Sequence, residues 1–202
     1  MNAETRKTAY VFFGMVATGK SFLARAWAER QKGLYLNSDI VRKELAGLGQ
    51  RDRSWDSWNE GMYTPGFTRR TYDELLRRAQ SYLAGDGHFC VVLDASYQSR
   101  EERSRLRQGL AGHCRLLFIL CTCPESTVKK RLAERAVDPH AVSDGRWEIY
   151  LHQKVHFMPP DELEPGQVVS IDTDRPLAVV LAGLEQAVQE KMNGAHAAKP
   201  GW

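Results

Sequence analysis

No stretch of this chain approaches the roughly 18 consecutive apolar residues that a membrane-spanning helix needs. The opening M-N-A-E-T-R-K lacks the apolar core of a signal peptide. The expectation is therefore a cytoplasmic protein with no membrane partner. Cysteine is scarce, with four in 202 residues: Cys90, Cys114, Cys121 and Cys123. None forms C-x-x-C, and the C-x-C pair has no matching second pair. That argues against a redox dithiol or a zinc site and for buried free thiols. Charge of one sign is also in short supply, since a net +3 does not by itself argue for a nucleic-acid surface. The six histidines show no ligand spacing; His152 and His156 are four apart but lack a third ligand. There is no internal repeat and no low-complexity tract. What remains is ordinary globular composition, 43% apolar and 26% charged. The length suits one domain, expected over residues 1–193, with 194–202 as a flexible tail.

Short apolar runs at 10–13, 34–36, 89–93, 116–121 and 168–171 are bounded by Gly, charged or polar residues, as strands covered on both faces would be. Helical patterns fall between them, at 22–31, 38–45, 65–83, 100–110, 124–136, 144–155 and 176–192. Ser38 and Thr64 stand as caps, Pro65 occupies a first turn, and Ser99 heads a helix with Glu101 and Glu102 in its first turn. Alternating strand and helix with connections of helical length predicts a parallel sheet of five strands with helices on both faces.

Between the first strand and first helix lies Gly14-Met15-Val16-Ala17-Thr18-Gly19-Lys20-Ser21, a complete G-x-x-x-x-G-K-[ST] phosphate-binding loop in the strand–helix setting that supports the motif. Successive backbone N–H groups and the positive end of a helix converge there, which suits a nucleoside triphosphate. Gly14, Ala17, Thr18, Gly19, Lys20, Ser21 and Phe22 are the expected ATP-binding residues. Lys20 would reach the β and γ phosphates, and the Ser21 hydroxyl would hold Mg²⁺.

Ligands of open α/β sheets bind outside the carboxyl ends of the strands, so those ends carry the remaining candidates. After the second strand, Asp39 and Arg42 are one helical turn apart and can face one cleft. A carboxylate there can take the proton of an attacking hydroxyl, and a guanidinium can grip an anionic or polar group of the acceptor. The plainer alternative is that Ser38 and Asp39 cap the helix while Arg42 faces water. The third strand closes on Asp94, placed to hold Mg²⁺ through water or to serve as a structural hydrogen-bonding acid. Arg131 and Arg135, four apart after the fourth strand, can form a lid at about 131–145 that neutralises charge on the phosphates, or can belong to a solvated face. Trp55, Trp58 and Tyr63 sit among charges on a long connection, as a wall for the acceptor or as apolar anchors. Arg103 is a further candidate for an acceptor anion.

These segments, with Y-T-P-G-F-T-R-R-T-Y-D-E-L-L at 63–76 and V-V-L-D-A-S-Y at 91–97 followed by R-E-E-R at 100–103, together resemble the AAA-type P-loop kinase domain often fused to aminoglycoside-phosphotransferase-like modules. That domain is similar to the kinase halves of polynucleotide kinases, and more distantly to zeta toxins, chloramphenicol phosphotransferase and gluconate kinases. The resemblance covers roughly residues 8–181. It implies a three-layer α/β P-loop fold of the nucleoside-monophosphate-kinase kind with strand order 2-3-1-4-5. By the same resemblance Asp39 is the general base, Arg42 binds the acceptor, Arg131 or Arg135 is the lid arginine, and adenine lies near 172–176 against Arg175. No phosphotransferase-like module is present in these 202 residues.

The expected activity is ATP- and Mg²⁺-dependent transfer of the γ-phosphoryl group to a hydroxyl of a small molecule, by a monomer or homodimer. The alternatives are a polynucleotide 5′-hydroxyl kinase, with salt-sensitive binding to a nucleic-acid end, and a nucleotide-binding regulatory module with slow ATPase activity.

Overall fold

The computed structural model describes residues 7–49, 52, 61–137 and 146–197, with the backbone alone at 137 and 194–197. Trp55, Trp58 and residues 138–145 of the expected lid lie outside the described residues. Five parallel strands, β1 (Thr8–Phe13), β2 (Leu34–Asn37), β3 (Cys90–Asp94), β4 (Arg115–Thr122) and β5 (Val168–Asp172), form one sheet in the order β2-β3-β1-β4-β5. The fold is thus the three-layer α/β P-loop arrangement. The helices are α1 (Lys20–Gln31), α2 (Ser38–Leu45), α3 (Pro65–Ala84), α4 (Arg100–Leu110), α5 (Glu125–Val137), α6 (Trp147–His156) and α7 (Leu177–Ala197). α7 runs past Met192, where the apolar periodicity stopped.

Strand alternation divides the core into two layers. Ala9, Val11, Phe13, Val91, Leu93 and Phe118 face α2, α3 and α4, where they meet Val41, Leu75, Ala79, Leu106 and Leu110. Tyr10, Phe12, Val92, Leu117 and Ile119 face the other way, onto Leu23, Trp27, Val180, Leu184 and Val188 of α1 and α7. Both faces are covered, so the strands read as nearly continuous apolar runs. A third, smaller cluster joins Val16 and Ala17 of the loop after β1 to Val128 and Leu132 of α5 and Tyr150 of α6. The four cysteines are free thiols. Among the described residues, no helix is long and apolar enough to cross a membrane.

Local signals account for most helix starts. Thr64 Oγ1 accepts from the Phe67 N–H ahead of Pro65, and Ser99 and Glu102 form a reciprocal capping box on α4. The start of α2 differs from the expectation. Its cap is Asn37, whose Oδ1 accepts from the Ile40 N–H at 3.0 Å, and Ser38 is the first helical residue. Asp39 therefore does not serve as the cap.

Arg103 also differs, for it lies outside the cleft described below. Its side chain is fully buried, with Nε and Nη2 paired to Glu162 at 2.6 and 3.0 Å. Nη1 donates to Tyr97 O and Nη2 to Pro159 O, while the guanidinium sits 5.7 Å over the Phe13 ring. Nε and Nη2 tie α4 to the segment between α6 and β5 and Nη1 holds the turn before α4, so the buried guanidinium is not open to an acceptor anion. Removing one partner of a buried, hydrogen-bonded pair strands the other. Arg103→Ala should cost about 3 kcal/mol of stability in denaturant unfolding and leave nucleotide affinity unchanged.

Candidate active site

The phosphate-binding loop turns between β1 and α1 through backbone that suits glycine. Gly14 has φ 132° and Gly19 φ 83°, and Ala17 also takes a positive φ of 61°. A Cβ on Gly14 would stand 2.6 Å from the backbone O of Cys121, and one on Gly19 would stand 2.8 Å from Thr173 Oγ1. Both positions therefore demand glycine on steric as well as torsional grounds. Gly19 precedes α1 with no side-chain cap, so the first N–H groups of the helix stay open to an anionic ligand.

One cleft gathers the residues that follow three strand ends. Val16, Ala17, Gly19, Lys20 and Ser21 form its floor, Asp39 and Arg42 come from α2, and Asp94 ends β3. Tyr63, Thr68 and Tyr72 line it from the α3 side, Ser96 and Gln98 from the segment after β3, Arg135 from α5, and Ile149 and Gln153 from α6. Its volume of about 120 Å³ compares with the roughly 10–15 Å³ that one water requires. The expected base, metal arm, acceptor arginine and one lid arginine thus share a cavity with the loop.

The charges are arranged with evident partners. Lys20 Nζ donates to Met15 O at 2.7 Å, and burial lowers its pKa while Asp94 and Asp39 act to raise it. Asp94 is almost wholly buried, and its Oδ2 accepts from Tyr35 Oη at 2.7 Å and Asn37 Nδ2 at 2.6 Å. Its Oδ1 has no hydrogen-bond partner among the described residues. Burial beside Asp94 drives the Tyr35 hydroxyl far above its usual range, so it remains a proton donor. Arg135 is pulled below its ordinary pKa by burial, against the opposing fields of Asp39 and Asp94.

Arg42 is 7% exposed. Its Nη1 donates to Met62 O at 2.5 Å and Thr68 Oγ1 at 3.1 Å, and its guanidinium lies 5.2 Å over the Tyr63 ring. It pairs with no carboxylate among the described residues, and its Nε is buried without a partner. The solvated-charge alternative for Arg42 is excluded by this burial.

Arg131, Phe22 and Arg175 join Arg103 outside the cleft lining, and Gly14 and Thr18 of the loop do not line it either. Arg131 reaches behind the loop: its Nη1 donates to Ala17 O at 3.3 Å and Thr173 Oγ1 at 3.1 Å, and its Nη2 to Thr173 O at 2.7 Å. It does not line the cleft, whereas Arg135 does. Phe22 is 69% exposed and Arg175 is also exposed, both away from the cleft lining. Two residues went unnoticed in the sequence. Thr173 Oγ1 donates to Thr18 O at 2.7 Å, and Gln153 Oε1 accepts from the Val16 N–H at 2.6 Å. Thr173 directly follows a strand end, and Gln153 is a polar residue on the buried face of α6, so both positions carried a signal.

The donor set fits magnesium and a triphosphate. An open helix N-terminus, the Ser21 hydroxyl, an Asp94 carboxylate oxygen with no partner among the described residues and three cations, Lys20, Arg42 and Arg135, surround one cavity.

A family model described as an AAA domain matches residues 10–160, most of the chain. The chain belongs to that AAA domain family. Uncharacterised proteins of Mycobacterium tuberculosis and Mycobacterium bovis are 30% identical to this AAA domain over 124 residues, 61% of the chain and 24% of their own length. The chain thus spans about a quarter of the curated relatives it matches. Among solved structures, a putative kinase of Chloroflexus aurantiacus is similar with TM-score 0.64 at 16% identity, covering 90% of this chain and 98% of that one. A gluconokinase of Sinorhizobium meliloti superposes with TM-score 0.57 at 20% identity over 95% and 98% of the two chains. The adenylylsulfate (APS) kinase of Mycobacterium tuberculosis, solved with AMPPNP and APS, gives 0.59 at 18% identity over 93% and 98%. At these identities the likeness is one of fold, shared with kinases.

Thr173 joins β5 to the phosphate-binding loop through a side chain 6% exposed. Thr173→Val strands Thr18 O and removes a partner of Arg131. We expect about 2 kcal/mol lower stability in chemical denaturation and weaker MgATP binding by calorimetry.

Proposed function

We propose that the protein is an ATP-dependent phosphotransferase that moves the γ-phosphoryl group to a hydroxyl of a small molecule. The observation that carries this reading is the single cleft in which Lys20, Ser21, Asp39, Asp94 and Arg135 all meet. A protein that only bound nucleotide would need the loop but not a second carboxylate on the far wall.

In this reading Lys20 and the open N–H groups at the start of α1 hold the phosphates. Ser21 and Asp94 are the residues that would hold Mg²⁺, which when bound neutralises phosphate charge. Asp39 accepts the proton of the acceptor hydroxyl as its oxygen forms a bond to the γ phosphorus. The bond from that phosphorus to the bridging oxygen breaks, and ADP leaves with the electron pair. Arg135 is the lid arginine, neutralising charge that spreads onto the leaving and equatorial oxygens. Arg131 keeps the loop in place instead. By the family likeness, adenine rests outside the cleft near residues 172–176, against Arg175 and Pro176.

The acceptor end has a chemistry of its own. Arg42 Nε is a buried donor and Gln98 Oε1 a buried acceptor, both without partners among the described residues and both on residues lining the cleft. Such groups are costly unless a ligand satisfies them. The acceptor is therefore read as a compact molecule that carries, beside the reacting hydroxyl, an anionic or carbonyl group for Arg42 and a donor for Gln98. Tyr63, stacked on Arg42, orders that arginine, and Trp55 and Trp58 are candidates for the acceptor wall on sequence grounds. Within the kinase class, the S-D-I-V-R segment at 38–42 supports kinship with polynucleotide-kinase-like and zeta-toxin-like domains. The much greater length of the curated relatives is in keeping with domains of that kind fused to further modules.

Asp39→Ala should leave the MgATP dissociation constant within about twofold and reduce acceptor-stimulated ADP formation by 10²- to 10⁴-fold, roughly the range of a general base. Stimulated turnover that survives above about a tenth of wild type would remove Asp39 from that role.

A further inference from the structure

The peptide unit between Met15 and Val16 is gripped from both sides. Its carbonyl accepts from Lys20 Nζ at 2.7 Å and Thr18 Oγ1 at 2.8 Å, and its N–H donates to Gln153 Oε1 at 2.6 Å. A trans peptide is planar, with C=O and N–H pointing in opposite directions, and no cis bond occurs among the described residues. Fixing the direction of the N–H therefore fixes the direction of the carbonyl. Val16 is 8% exposed, so without Gln153 its N–H would be a buried donor with no protein partner.

Gln153 is well placed to impose that direction. It is 7% exposed and belongs to α6, the helix that follows the expected lid. Tyr150 of the same helix packs with Val16, Ala17, Val128 and Leu132, and Ile149, one turn before Gln153, shares the cleft wall. Lys154 pairs with Glu125 of α5 at 2.6 Å, and Lys129 of α5 lies 4.7 Å over the Trp147 ring. The helix is thereby braced on α5, and its one inward-facing amide meets the loop at the peptide that receives the Lys20 ammonium.

We propose that Gln153 is a positioning residue for phosphoryl transfer: by holding the Val16 N–H, it aims the Met15 carbonyl at the Lys20 ammonium and keeps that cation where the phosphates arrive. Nothing in the phosphate-binding motif specifies this residue, because it lies 137 positions further along the chain. The inference rests on the nucleotide-binding part of the function proposed above and is independent of the acceptor.

The test is a double-mutant cycle read as MgATP dissociation constants by calorimetry, on the full chain. Gln153→Met should weaken MgATP binding by about five- to tenfold in the wild-type background, the scale of one buried hydrogen bond. In the Lys20→Met background the same change should cost less than about twofold, because the cation it positions is gone. Equal losses in both backgrounds would mean that Gln153 merely supports packing, and no loss in either would also overturn the proposal. A wild-type protein that binds no MgATP would instead bring down the nucleotide reading and this inference together. Amide exchange of Val16 gives a second readout: slow in the wild type, slow in Gln153→Glu, which retains an acceptor, and at least about tenfold faster in Gln153→Met. Fast exchange of that amide in the wild type overturns the proposal even if the methionine variant does not fold.

Discussion

The short turn from β1 into α1 is the constraint on which the rest of the molecule depends. Its backbone must bend through left-handed conformations at Ala17 and Gly19 and leave the first N–H groups of α1 unpaired. A loop with open polar groups and strained torsions does not hold its shape unaided. Here it is held by elements distant in sequence: Thr173 after β5 takes Thr18 O, Arg131 of α5 takes Ala17 O, and Gln153 of α6 takes the Val16 N–H. The sheet order brings β4 beside β1 and β5 beside β4, so two of these three supports arrive with the strand ends. Fold and site are in this sense one arrangement, in which the parallel sheet exists to present the loop with its supports.

The charges around the loop follow the same logic. Lys20, Arg42 and Arg135 are cations in or beside a cleft that also holds Asp39 and Asp94. Asp94 is satisfied on one oxygen by Tyr35 and Asn37 and left open on the other. Asn37 thereby does two things: Nδ2 bonds Asp94 while Oδ1 caps α2. That double use releases Asp39 from capping and ties the start of α2 to Asp94 at the end of β3. Arg42, by contrast, has donors to spare and no carboxylate partner among the described residues, which is what makes it the candidate for gripping an acceptor.

Much of this was legible in the residues. The alternation of apolar runs and helical patterns yielded the five strands and seven α-helices found among the described residues, because both faces of the sheet are covered and each run is bounded by turn residues. The order of the strands came from family likeness, since periodicity alone does not rank neighbours. Site residues at strand ends were legible for the same topological reason. What escaped were roles decided by long-range pairing. Arg103 has the look of a cleft arginine until Glu162 and two carbonyls are found to hold it away from the cleft. Arg131 and Arg135 are equivalent in spacing, and only the position of Thr173 separates them. Asn37 and Ser38 are both good caps, and the bond to Ile40 N decides between them. Gln153 has no motif at all, only a polar side chain on a buried helix face.

The central claim is that this cleft transfers a phosphoryl group to something other than water, and the fate of the label from ATP labelled at the γ phosphorus tests it most directly. The protein would be incubated with Mg²⁺, labelled ATP and a panel of hydroxy acids, sugars, ribonucleosides, aminoglycosides and 5′-hydroxyl oligonucleotides. The account predicts label on a compact acceptor that bears an anionic or carbonyl group beside its hydroxyl. Label found only in inorganic phosphate, at a rate no acceptor changes, would contradict it and leave a nucleotide-hydrolysing module in its place.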